Sequence, residues 1–165
     1  MTTEEKISAE LYRNVTAILN KLTPQNFDTL LEQLLALNID TPERLEGVTD
    51  RIFEKAIREP MYSVSYANMC RCAFTIKVAD TEGKDVSFRK LFLNRCQKEF
   101  EEELYNRDQV DRLSEKGSKE TKEKMDEALA KSKRRMVGKM KFMGELFKLK
   151  VCYTITAGWW RQGQN

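Results

Sequence analysis

Apolar residues near the start of the chain recur at steps of three and four. Leu11, Val15, Ile18, Leu19 and Leu22 therefore share one stripe of a helix, because a 3.6-residue turn brings such positions to one face. Thr23-Pro24 follows as a start signal. The hydroxyl can cap the next helix, and a proline loses nothing at the first helical position. The second helix turns Phe27, Leu30, Leu31, Leu34, Leu35 and Leu37 inward. Thr41-Pro42-Glu43 repeats the signal, with an acid placed to suit the helix dipole. Leu45, Val48, Ile52, Phe53, Ala56 and Ile57 then form a third stripe, which Pro60 ends.

A fourth helix is predicted over 63–77, buried along Val64, Ala67, Cys70, Ala73 and Phe74. Asp80-Thr81-Glu82-Gly83 is the clearest turn. Ser87 can cap a fifth helix with Phe88, Leu91, Phe92, Cys96, Phe100 and Leu104 inward. From 106 to 120 the chain is polar and broken at Gly117-Ser118, which reads as a loop or a weakly held helix end. A sixth helix covers 120–149, with Met125, Leu129, Met136, Met140, Met143 and Phe147 in register. No segment alternates apolar and polar residues over strand length. The fold class is all-α, built of antiparallel helix pairs, and both a closed bundle and an α-solenoid fit that pattern. A spacing of roughly 40 residues per pair is the HEAT-type period.

Composition agrees with helices: 165 residues hold only seven Gly and three Pro. The chain has no His, which excludes Ser-His-Asp and Cys-His catalysis and imidazole zinc sites within it. Cys70 and Cys72, two apart on a helix, point to opposite sides and cannot share a metal. Glu99, Glu101, Glu102 and Glu103 read as a solvated acidic run rather than a general acid and base. No phosphate-cradling glycine loop occurs. No catalytic, cofactor or metal residue is assigned, and enzyme activity is disfavoured. The start of the chain has no secretory h-region and no stretch is apolar enough to span a membrane, so a cytoplasmic protein with reduced cysteines is expected.

Charge is unevenly spread. Residues 131–150 hold eight bases and one acid, whereas residues 1–130 hold 20 bases and 25 acids. Lys133, Arg134, Arg135, Lys139 and Lys141 are candidate phosphate contacts for RNA. Phe142 beside them is a core residue more often than a stacking platform.

Several runs stand in a familiar order: Ile18-Leu-Asn-Lys-Leu-Thr-Pro24, Ile52-Phe-Glu-Lys-Ala-Ile57, Tyr66-Ala-Asn-Met-Cys-Arg-Cys72, Phe88-Arg-Lys90, Leu93-Asn-Arg-Cys-Gln-Lys-Glu-Phe100 and Gly144-Glu-Leu-Phe-Lys-Leu-Lys150. Over about residues 10–150 the chain closely resembles the middle domain of eukaryotic translation initiation factor 4 gamma. The resemblance implies a crescent of HEAT-type pairs, an α-solenoid cut off after about three pairs. It implies a translation-initiation scaffold with no catalysis of its own. It also implies partners: the DEAD-box RNA helicase initiation factor 4A, held at both ends of the full crescent, messenger RNA, and other initiation factors. Asn68, Arg71, Arg89, Asn94, Lys98 and Glu99, polar residues inside the matching runs, become the candidate helicase surface. The alternative is a truncated isoform that acts only as a basic RNA-binding module or has no independent function.

The expected organisation is a flexible 1–9, the partial domain at 10–150 and a tail at 151–165 that departs from the family. Trp159 and Trp160 in that tail would either cover an uncapped last helix or leave the protein adhesive.

Overall fold

The structure, a computed structural model, describes residues 2–116 and 119–149. The tail with Cys152, Trp159 and Trp160 lies outside the described residues. Among the described residues six α-helices follow one another: α1 (Thr3–Asn20), α2 (Phe27–Leu35), α3 (Pro42–Arg58), α4 (Ser63–Ala73), α5 (Phe88–Lys116) and α6 (Lys119–Lys148). Each pair packs within itself, α1 on α2, α3 on α4 and α5 on α6. The first members stack as α1, α3, α5 and the second members as α2, α4, α6. This two-layer stacking of pairs is the solenoid arrangement.

The start signals act as the sequence suggests, with local variation. The Thr41 hydroxyl accepts from the Arg44 N–H, and Pro42 opens α3. At Thr23 the cap works in reverse: the Asn26 side chain accepts from the Thr23 N–H, and Pro24 opens a short 3-10 turn before α2. Ser87 caps α5 by accepting from Lys90 N–H at 3.1 Å.

Three expectations differ. Residues 3–9, read as part of a flexible lead-in, lie in a helix: α1 begins at Thr3, under a reciprocal cap between Thr2 and Glu5. Arg44, 4% exposed and itself braced by Asp40, then clamps this first stretch through Ser8 and the Glu4 carboxylate. The predicted loop at 106–120 is helical as far as Lys116. The fourth helix ends at Ala73, and a two-stranded antiparallel hairpin follows, β1 (Lys77–Ala79) and β2 (Asp85–Ser87), with Val78 opposite Val86. The 80–83 turn is its loop. The Asp80 carboxylate accepts from the N–H groups of Glu82 and Lys84, and Gly83 takes the left-handed φ of +82° that this turn type requires. Strands of three residues are too short to show alternation.

The core runs between the layers. Phe53, Phe88, Phe92 and Phe142 are all essentially unexposed. Phe142 meets Phe53 and Phe92 edge-on, with centroids 6.1 and 6.0 Å apart, a preferred aromatic geometry. Phe142 is therefore core. On α4, Ala67, Cys70 and Ala73 are buried as expected and Tyr66 and Met69 are buried beside them, while Val64, expected inside, is 56% exposed. Leu35, Leu104, Leu129, Met140 and Phe147, also expected inside, are exposed. At Gly138 α6 crosses the end of α3 so closely that a Cβ would lie 2.0 Å from the Ile57 carbonyl oxygen.

Candidate functional site

Three of the eleven candidate site residues meet inside the molecule instead of on it. Glu99 of α5 is 2% exposed and Lys139 of α6 is 4% exposed. Arg135 of α6 reaches between them. Its guanidinium donates to both oxygens of Glu54 on α3, at 2.7 and 3.1 Å, and to both oxygens of Glu99, one at 2.6 Å. Lys139 Nζ lies 3.4 Å from Glu99 and 3.1 Å from Glu103. Arg95 closes the cluster by donating to Glu99 at 3.1 Å and to Glu54 and by an ion pair with Asp50 at 3.3 Å, with its guanidinium over the Phe53 ring. Seven charged side chains thus tie α3, α5 and α6 together.

The electrostatics follow from this packing. Burial works to raise the Glu99 carboxyl, but hydrogen bonds and charge from Arg135, then the charges of Lys139 and Arg95, outweigh it. The group is held below the usual carboxylate range. Glu54 is lowered by the same contest: burial and the Glu99 charge oppose, Arg135 and Arg95 prevail. The hydrogen bonds to Glu99 and Glu54 push Arg135 upward. Glu54, Glu99 and Arg135 therefore stay charged at neutral pH, and the arrangement braces helices. Arg135 and Lys139 are thus spent on internal carboxylates and are not free phosphate contacts, and Glu99 is not a contact surface.

The other candidates face outward. On α4, Asn68 and Arg71 share a stripe with Val64, at helical steps of four and three; Asn68 Nδ2 donates back to the Val64 carbonyl at 3.0 Å and Arg71 is exposed. On α5, Asn94 and Lys98 are exposed one turn apart, with Arg89 exposed on a different flank near the hairpin. Lys133, Arg134 and Lys141 are exposed along α6. Among the described residues none of Arg71, Arg89, Lys98, Lys133, Arg134 and Lys141 has an ion-pair partner.

Sequence reading missed two features here. Ile57, Arg58 and Pro60 face the 131–137 stretch of α6 across an open groove of about 660 Å³. Its only sequence signal was an apolar Val137 among bases. The second feature is the clamp at Arg44, whose burial among carboxylates gave no periodic signal. Among the described residues no group of His, Cys, Asp and Glu is placed to hold a metal ion, and no helix is long and apolar enough to cross a membrane.

The MIF4G domain family matches residues 12–155, five residues further than the run-by-run resemblance extends. The chain is 52% identical over 156 residues to eukaryotic translation initiation factor 4 gamma 3 of Mus musculus, covering 86% of this chain and 10% of that protein. It is 52% identical over 153 residues to eukaryotic translation initiation factor 4 gamma 1 of the same organism, with the same shares covered. The eukaryotic translation initiation factor 4G of Arabidopsis thaliana is 38% identical over 138 residues, 82% of this chain and 8% of that one. The chain thus spans about a tenth of the length of these relatives.

Proposed function

The chain belongs to the MIF4G domain family, and from that membership we propose that it is a translation-initiation scaffold that binds the DEAD-box RNA helicase initiation factor 4A in the cytoplasm. The observation that carries the reading is the outward placement of Asn68, Arg71, Arg89, Asn94 and Lys98, polar residues that lie inside the runs shared with initiation factor 4 gamma. An exposed cation without an internal partner contributes little to a fold; on a scaffold it is available to an acidic partner surface. The helicase supplies any catalysis. Three helix pairs engage one lobe, so binding is weak and the ATPase rate is unchanged. Titration of the chain against fluorescently labelled helicase, with and without ATP analogue, tests this. Binding that survives charge reversal at Arg71, Arg89 and Lys98 together, in a variant with an unchanged melting temperature, would refute the proposed surface. Full ATPase stimulation would refute the one-lobe reading.

A second reading, RNA contact, rests on Lys133, Arg134 and Lys141 on the outer side of α6. Three phosphate contacts on a single strand give log Kd a salt slope of about 2, well below what all five original candidates would produce. Messenger RNA binding with a slope near that value is the expected outcome in an anisotropy titration across salt concentrations.

A further inference from the structure

The groove between the end of α3 and the first half of α6 combines three properties. Its wall is aliphatic, made of the half-buried Pro60 and Val137, 51% exposed, over the buried Ile57 at the floor. Its rim is cationic: Arg58, Lys131, Lys133 and Arg134 are all exposed. Its shape is held from behind. Gly138 lets α6 lie against the Ile57 backbone, and Arg135 is pinned by Glu54 and Glu99. A groove held in shape loses little freedom when it is filled.

We propose that this groove binds an acidic peptide segment carrying one apolar side chain, which seats on Ile57, Pro60 and Val137 while its carboxylates meet the rim. This goes beyond the helicase and RNA readings. The lining itself disfavours a nucleotide. Sites for unpaired bases supply aromatic rings for stacking, and among the described residues this lining contains none; the nearest described ring on α6, Phe142, is fully buried. An aliphatic floor suits a side chain that needs no stacking partner, and four cations suit flanking Asp and Glu. RNA and such a peptide share Lys133 and Arg134, so they exclude one another.

The probes are three fluorescein-labelled ligands added to the whole chain: a short Asp/Glu peptide with a central Phe, the same peptide with Ala in that place, and oligouridylate. The Phe peptide binds, and the Ala peptide binds about tenfold more weakly, the effect of losing one buried apolar side chain. Val137→Ser weakens the Phe peptide to the level of the Ala peptide and leaves the other two ligands unchanged, while Val137→Leu restores it. Arg134→Glu weakens all three. Because Val137 is half-exposed these variants keep the wild-type melting curve, which circular dichroism verifies. Equal binding of the two peptides, no peptide binding, or indifference of the Phe peptide to Val137→Ser overturns the proposal. Loss of oligouridylate binding in Val137→Ser would instead place a base in the groove. Self-association that Val137→Ser abolishes would place a second copy there. Either result overturns it.

Discussion

Glu99 holds more of the fold than its neighbours in the Glu99–Glu103 run. Removing its charge leaves Arg135 and Lys139 partly uncompensated in a buried site. Glu99→Gln therefore costs about 3 kcal/mol, read as a lower urea midpoint with unchanged slope. Acidity acts in the same direction. Glu54 and Glu99 are depressed in the folded state, so the unfolded chain binds protons first as pH falls. Their stabilisation is full at neutral pH. It begins to fall near the unfolded carboxylate range, about pH 4 to 5, and is lost as pH drops through the folded values. The urea midpoint should be flat from neutral pH down to that range and then drop, with a shallower drop in Glu99→Gln. Phe142→Ala, which empties the edge-on contact with Phe53 and Phe92, should cost about 3 to 5 kcal/mol. The burial of Glu99 was legible in one respect: it stands seven after Phe92 and three after Cys96, on their side of the helix. The charge run hid this, because four carboxylates within five positions point in directions all around a helix axis. Arg135 and Lys139 were masked in the same way by the bases around them.

At the scale of elements, the helix starts at Thr41 and Ser87 were legible because a cap is a local contact. The far end of α5 was not, since a polar stretch reads as loop when its support comes from another helix. The hairpin was half legible: its turn chemistry stood out, its short strands did not. α1 shows why chain ends read poorly. Its first turns are held by Arg44, some 40 residues away in sequence. Arg44→Ala should cost about 1 to 3 kcal/mol and speed hydrogen exchange in residues 3–10 ahead of the rest of the fold. Gly138→Ala tests the approach of α6 to α3. With a Cβ 2.0 Å from a backbone oxygen neither helix can stay in place, and about 3 kcal/mol is lost, seen as a lower melting temperature.

Across the whole molecule, pattern alone left bundle and solenoid open, because both present one apolar stripe per helix. The stacking of α1, α3 and α5 against α2, α4 and α6 depends on contacts between pairs, which no single stripe encodes. The same limit applies to surface and interior. Five bases looked equivalent along residues 133–141, and the third dimension divides them into two braces and three outward cations. A triple reversal of Lys133, Arg134 and Lys141 to Glu should therefore reduce RNA affinity without lowering the melting temperature. Reversal of Arg135 or Lys139 should unfold the protein before any RNA effect can be read. Paired melting and anisotropy curves separate the two cases.

The glycine at 138 also settles a question of alignment that charge leaves open. Lys131, Arg135 and Lys139 repeat every four residues on α6, and Glu99 and Glu103 do the same on α5. Sliding α6 by four residues, about 6 Å, would set Lys131 where Arg135 stands and Arg135 where Lys139 stands, with cation still facing carboxylate. The ladder of charges thus accepts more than one register. The Ile57 backbone does not: in the slid positions it would meet Arg134 or Phe142, each with a Cβ where no room exists. One missing methyl group acts as the vernier mark by which a repeating set of ion pairs finds its single native alignment.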